Sequence, residues 1–245
     1  MQRLREIKNK KILIIVAHPD DETLWFFQSM QQLKTNNEVT VFCLTHAAVS
    51  KRGKELSQVI DQLGLKVVFG HCEDTGIDHF LKMSELRQAF IKVFSKYKAD
   101  IAITHPPHGG EKPHPHHIQL YKMSKEFCRF YSVQFGFFSE QKLLAESNTS
   151  QEYFFSFKKK KYVFYRLLQG YRLLNEEEQK LTFYLSTVFS ILFDFKAYAA
   201  FEVAVNLEAK QSALANFESQ QDILKSYNAF YKKSEFLFLR IRSGE

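Results

Sequence analysis

The apolar run Ile12–Ala17 passes without a break into His18-Pro19-Asp20-Asp21-Glu22, and this junction constrains the chain more than any other feature. Six apolar residues with no polar alternation are the pattern of a parallel strand covered on both faces. A basic stretch precedes the run (Arg3, Arg5, Lys8, Lys10 and Lys11), but six residues are too few for the core of a signal peptide. The run reads as a buried strand whose carboxyl end carries one imidazole and three acids.

The first half then alternates between two periods. Asp21–Lys34 is helical in pattern, Glu38–Leu44 strand-like, Lys51–Leu63 helical, and Lys66–Phe69 a short strand after Gly64. Ser84 offers an N-cap ahead of a helix over Glu85–Tyr97, whose Leu86, Phe90, Val93 and Phe94 form one stripe. Asp100–Ile103 is a fourth strand, and helical periodicity resumes from His116 to Phe130 after a loop rich in Pro, Gly and His. Strands alternating with helices predict an α/β fold, Rossmann-like and doubly wound, with a mostly parallel sheet.

The second half carries fewer signals. Asn206–Gln220 reads as a helix and Phe236–Ile241 as a closing strand. No repeat and no Pro/Ser/Gly linker marks a boundary, so residues 1–245 are read as one domain, with 135–205 an unplaced aromatic-rich insertion or extension. The apolar stretch Leu181–Val205 is interrupted by Asp194, Lys196 and Glu202, against the ~20 apolar residues a spanning helix needs. The 25 Phe are read as filling an ordinary core rather than an aromatic binding surface. Cys43, Cys72 and Cys128 stand singly, which argues against a disulfide framework and for a reducing, cytoplasmic setting.

Open parallel sheets bind ligands at the carboxyl ends of their strands. Two such ends are loaded here. The first is His18–Glu22; the second is His105-Pro-Pro-His108-Gly109-Gly110 followed by His114-Pro115-His116-His117. Of nine histidines, six lie at these two ends, which scattered core histidines would not do. A helix starting at Asp20 or Asp21 favours ionised acids in its first turn, but capping does not need three of them. Hydrolytic zinc centres use three His or carboxylate ligands and leave a fourth position for water; a carboxylate takes its proton and a donor stabilises the oxyanion. His18, Asp21 and His117 suit the ligand positions, Asp20 the base, and His114 the donor or acid.

Val16-Ala17-His18-Pro19-Asp20-Asp21-Glu22 after a first strand resembles the signature of the LmbE/PIG-L family of N-acetylglucosaminyl deacetylases. Further pieces are similar to the family's in the same order: Arg52-Gly-Lys-Glu55 with Leu63-Gly64, Asp74 as an acidic loop residue, Gly109-Gly110 with His114-Pro115-His116-His117, and Lys210 with Ser219-Gln220. The resemblance implies a zinc enzyme, tolerant of other divalent ions, that frees the amine of an N-acetylated sugar. It implies His18, Asp21 and His117 as ligands, Asp20 as base, His114 as oxyanion stabiliser or acid, and Arg52 and Asp74 near substrate. His116 stands where an acid is common, which would tune His114 differently, and Phe217 stands where a late His is frequent.

Other readings remain to be weighed. A dinucleotide-binding or otherwise non-catalytic Rossmann-like module shares the fold class, but the first turn has no glycine and sets two acids where a pyrophosphate would sit. An amidohydrolase acting on a non-glucosamine N-acyl substrate shares the chemistry, because loops rather than the metal select the substrate. The net charge of +7 comes with no nucleic-acid motif, so no nucleic-acid partner is expected. Lys158–Lys161 lies between Tyr153-Phe154-Phe155 and Tyr162-Val163-Phe164-Tyr165. A solvated charge run is the plainer reading; peripheral contact with an anionic membrane surface is the sharper one, at about 1 kcal/mol per lysine. Sedimentation with anionic and neutral vesicles separates them. A membrane role requires binding to anionic vesicles at low salt that disappears when the four lysines become Gln.

Overall fold

The computed structural model describes residues 4–76, 79–107, 109–110, 114–139 and 198–240. Seven strands form one sheet: β1 Lys11–Val16, β2 Glu38–Thr45, β3 Lys66–Cys72, β4 Ile101–Thr104, β5 Gln134–Ser139, β6 Tyr198–Ala204 and β7 Ser234–Arg240. Their order is β3-β2-β1-β4-β5-β7-β6. The first five are parallel, while β7 pairs antiparallel with both β5 and β6. The fold is α/β and mostly parallel, as the alternation predicts, with an antiparallel edge added.

Alternation along β1 explains why the sheet is covered twice. Ile12, Ile14 and Val16 enter one core, with α1 (Asp21–Lys34), α2 (Lys51–Gln62) and α5 (Leu207–Ala215) packed on that face. Leu13, Ile15 and Ala17 enter the other, against α3 (Met83–Tyr97) and α4 (Pro115–Phe130). Phe residues fill both. Phe90 lies 5.3 Å from Phe127 and 5.8 Å from Phe94, and Phe137 stacks on Phe238 at 5.0 Å, centroid to centroid. Burying each such ring contributes about 1.5–3 kcal/mol.

Several boundaries differ from the sequence reading. The third helix begins at Met83 with Lys82 at its cap, so Ser84 lies inside the helix. The region read as a helix over Asn206–Gln220 divides into α5 and a short 3-10 turn, Glu218–Gln220, with Asn206 accepting from Ala209 N as the α5 cap. The two ends of the unplaced 135–205 stretch are strands, β5 and β6; Lys158–Lys161 lies outside the described residues. Among the described residues no helix is long and apolar enough to cross a membrane.

Helix α1 is broken at Phe26 (φ −140°, ψ 17°), which frees backbone donors in its middle. Glu235 of β7 meets them: its carboxylate accepts from Gln28 N at 3.1 Å, Ser29 N at 2.9 Å and Ser29 Oγ at 2.9 Å. Lys210 of α5, whose Nζ donates to Ala229 O at 3.0 Å, lies 3.8 Å from the same carboxylate. Both side chains are buried, so neither has water to replace the other. Glu235→Ala is therefore expected to destabilise the fold by about 3–5 kcal/mol, the cost of orphaning a buried charge and its donors. Glu235→Gln keeps an oxygen acceptor and should lose less. Urea unfolding of the three proteins checks the order, and equal midpoints for Ala and wild type would exclude it.

Candidate metal centre

The strand order reverses between β1 and β4, so their carboxyl ends form the topological switch point, where such sheets open a crevice. The two histidine-rich junctions lead out of these two strands. At the first, Asp20 adopts φ 121°, a conformation uncommon for a side-chain-bearing residue. Its side chain makes no capping bond to α1 and turns instead to Arg52, whose Nη2 lies 3.1 Å from Oδ2. Asp21 folds back to accept from His18 N at 2.8 Å. Glu22 is fully buried, accepting from Thr23 Oγ1 at 2.6 Å and Asp20 N at 3.3 Å. Burial pushes Glu22 up to about 7. None of the three acids caps the helix with its side chain in the ordinary way, and the two aspartates are held for other partners.

At the second junction His114 is the N-cap of α4, its Nδ1 accepting from His116 N at 3.2 Å, with Pro115 in the first turn. His117 donates from Nδ1 to Gly109 O at 2.9 Å. That bond fixes the ring hydrogen on Nδ1 and leaves the Nε2 lone pair free to face His18 and Asp21. Gly109 has φ +81°, and a Cβ there would sit 2.9 Å from His114 N. Only glycine serves this turn without displacing the cap.

His18 Nδ1, Asp21 Oδ2 and His117 Nε2 form a nearly equilateral triangle, with sides of 3.4, 3.3 and 3.4 Å. All three residues are buried. A regular tetrahedron has edges ~1.6 times its centre-to-vertex distance, so these sides suit three ligands at about 2.0–2.1 Å from one ion. Two neutral imidazoles and a carboxylate are also the donor types of hydrolytic zinc. The residues fit a divalent metal. Burial works against ionising Asp21, yet His117 and His105 hold its carboxyl well below the usual range. Burial, together with His117, His18 and His116, drives His114 well down, so its imidazole is neutral near neutrality.

His18, Asp20, Asp21, Arg52, Asp74, His114 and His117 are therefore brought to one place. Arg52, on the first turn of α2, bridges Asp20 and Asp74, with Nη1 3.7 Å from Asp74 Oδ2. It also donates to Pro19 O at 3.1 Å. Asp74 lies beyond β3 and is held well below the usual carboxylate range, first by its His46 hydrogen bond at 3.3 Å. Glu55 and Ser219, weak motif fragments separately, meet: Glu55 accepts from Ser219 N at 3.0 Å and from Ser219 Oγ at 2.5 Å. Phe217 is fully buried. His108 lies outside the described residues.

Three residues at the site had no role in the sequence reading. His105 stacks on His117 at 3.7 Å, and its Nε2 lies 3.1 Å from Ala17 N and 3.3 Å from Asp21 Oδ2. Its membership of the histidine cluster was the available signal. His46 and Thr75 gave none, being recognisable only through the partners that folding brings to them. His116 faces His18 at 2.9 Å and Thr75 at 2.9 Å; it reaches His114 both through its backbone N–H and through its ring, the two centroids lying 4.5 Å apart.

Fold and site together describe an α/β protein with a buried His/His/Asp group at its switch point that could hold a metal ion. Residues 13–128 match the family described as PIG-L: GlcNAc-PI de-N-acetylase. Two solved structures share its fold. One is a deacetylase, in complex with bog, from the biosynthesis pathway of teicoplanin; it is 13% identical, with a TM-score of 0.60, covering 96% of this chain and 99% of that one. The other is the A40926 pseudoaglycone deacetylase Dbv21, 15% identical with a TM-score of 0.58, covering 97% and 100%. No curated protein matches the sequence.

The turn at Gly109 gives a test of the triangle. Gly109→Ala pushes a methyl against His114 N and strains the carbonyl that orients His117. Metal affinity, read by competition with a chromophoric chelator, should fall about 10–100-fold, as for other losses of a ligand's outer partner. Unchanged affinity would mean that His117 is not held by this bond.

Proposed function

We propose that this chain is a zinc-type hydrolase that removes the acetyl group from an N-acetylated sugar or glycoconjugate, releasing acetate and a free amine. The carrying observation is the donor triangle of His18, Asp21 and His117 with Asp20 held beside it by Arg52. The family match and the fold shared with two deacetylases support a deacetylase activity. The buried free thiols Cys43, Cys72 and Cys128 support a cytoplasmic setting.

His18, Asp21 and His117 would hold the ion, which when bound polarises the amide carbonyl and acidifies an attacking water. The remaining chemistry belongs to side chains of this chain. Asp20 takes the proton of the water as it adds to the acetyl carbon. Burial pushes its carboxyl well above the usual range while Arg52 pulls the other way, so it is basic enough to accept that proton and is kept oriented to do so. The same proton then passes from Asp20 to the amine nitrogen as the C–N bond breaks. His114 is the donor to the developing oxyanion. Its Nδ1 accepts the backbone N–H of His116, so its ring hydrogen is on Nε2, and a neutral imidazole donates without needing to deliver a proton. Arg52 and Asp74 line the same centre, where a guanidinium and a carboxylate suit sugar hydroxyls or a phosphate.

Asp20→Asn tests the division of labour. Asn tolerates positive φ, and no ligand is touched, so metal content should stay at the wild-type level. Deacetylation should fall about 10²–10⁴-fold, the usual contribution of a general base. Amine release would be followed on free, nucleotide-linked, lipid-linked and polymeric N-acetyl sugars, with and without chelator. Wild-type turnover in Asp20→Asn would move the base elsewhere. Turnover confined to N-acyl compounds that lack a sugar would retain the chemistry and overturn the substrate class.

A further inference from the structure

We propose that His116 is a positioning residue: its Nδ1 accepts from His18 Nε2–H, its Nε2–H donates to Thr75, and this relay keeps the His18 Nδ1 lone pair turned toward Asp21 and His117. The inference rests on the metal reading of the triangle. A neutral imidazole has one N–H and one lone pair, so fixing one nitrogen fixes the other. His18 Nδ1 is a corner of the triangle, 3.4 Å from both Asp21 Oδ2 and His117 Nε2. A ligand must present a lone pair there, which places the hydrogen of His18 on Nε2. That atom lies 2.9 Å from His116 Nδ1, which must therefore be the acceptor. The hydrogen of His116 is then on Nε2, 2.9 Å from Thr75 Oγ1, and the Thr75 hydroxyl donates onward to Phe80 O at 3.3 Å. Once His18 Nδ1 is bare, the His18–His116 step leaves one choice; the His79 backbone is a second hydrogen-bond partner of the His116 ring, and the Phe80 carbonyl, which can only accept, closes the Thr75 branch.

The relay also gives Thr75 a role beside the His79 backbone as a partner of the His116 ring. A carboxylate beside His18 accepts in any state of ionisation that leaves a lone pair; an imidazole accepts only if its other nitrogen carries the hydrogen, so it needs an outer acceptor of its own. His116 is fully buried, so bulk water does not supply one. A neutral partner further leaves His18 less electron-rich than a charged partner would.

The same atoms present a rival. His18, His114 and His116 form a second group of possible ligands, and Asp74 Oδ1 lies 3.9 Å from both His18 Nε2 and His116 Nδ1. A cation there would need bare lone pairs on both nitrogens that are 2.9 Å apart, and His18 would have to lose its last ring hydrogen. Hydrogen bonding satisfies that pair without either demand.

Two measurements test the relay: zinc stoichiometry and affinity by chelator competition, and two-bond 1H–15N spectra of the histidines in metal-free protein. Wild type should bind one equivalent and show His18 and His116 as Nε2–H tautomers. His116→Leu removes the acceptor at similar volume; zinc affinity should fall about 10–100-fold and His18 should become a tautomer mixture. His116→Asn, whose Oδ1 stands near the place of Nδ1, should restore most of the affinity and the His18 tautomer. Thr75→Val removes one of the two outer partners of the His116 ring and should shift its Nε2 resonance while leaving His116 in place, which keeps the test usable if the core variant fails to fold. Wild-type affinity together with an unchanged His18 tautomer in His116→Leu would overturn the relay alone. Two equivalents in wild type with one lost in His116→Leu would replace it with a second cation site. Wild type that takes up no metal would overturn the metal reading itself, and the relay with it.

Discussion

Three lone-pair-bearing atoms held 3.3–3.4 Å apart in a buried pocket repel one another, and much of the surrounding structure serves to hold them there. Each is fixed from behind by a different element. The His18 backbone N–H binds Asp21, the Gly109 carbonyl binds the back of His117, and His116 binds the back of His18. Asp20 reaches its partner only because its backbone accepts positive φ at the turn from β1 into α1. Strain of this kind costs about 1–3 kcal/mol and persists where the surroundings over-determine it. The sheet supplies that over-determination, because β1 and β4 are adjacent, parallel and covered on both faces.

Charge leads to the same conclusion from another direction. Asp20, Asp21 and Glu22 are consecutive and buried, and of the three it is Asp20 that the Arg52 guanidinium pairs with. Glu22 escapes part of the conflict by shifting toward the neutral acid, and Asp20 is pushed the same way by burial. Asp21 alone is held strongly ionised, at the corner of the triangle. A divalent ion bound between Asp21 and two neutral imidazoles would compensate the one carboxylate whose environment keeps it charged. The opposed protonation tendencies of Asp20 and Asp21 accord with the different roles proposed for them.

Most of this centre was legible in the sequence because its signals are local. The strand into His18–Glu22 and the His114–His117 cap are contiguous runs whose chemistry and secondary structure coincide, and the strand–helix alternation predicts that their ends meet. What escaped was long-range or degenerate. Thr75 and His46 act through partners distant in sequence and carry no pattern of their own. β5 and β6 are short aromatic and alanine-containing segments whose apolar character suits a strand or a buried helix equally. Antiparallel addition of β7 between them is a matter of topology, which periodicity does not encode. The expected influence of His116 on His114 runs by two routes: the N-cap sets the backbone N–H of His116 against His114 Nδ1, and the two rings lie 4.5 Å apart, where His116 helps to lower the His114 pKa.

All proposed ligands and the base lie between residues 18 and 117, within the span that matches the family, yet the chain from 198 onward is not a passive addition. Its contacts fall on the helices whose first turns carry the chemistry. Glu235 mends the break in α1, the helix that begins at Asp21. Ser219 fastens Glu55, one turn from Arg52 on α2. Tyr227 packs edge-on against Trp25 at 5.3 Å, directly behind the acidic turn. Displacing a catalytic group by about 1 Å can cost two orders of magnitude in rate, so contacts that brace α1 and α2 bear on the proposed site. The ligands depend on β1, β4 and the turns that follow them, and the C-terminal segment stiffens those turns from outside without supplying an atom to the triangle.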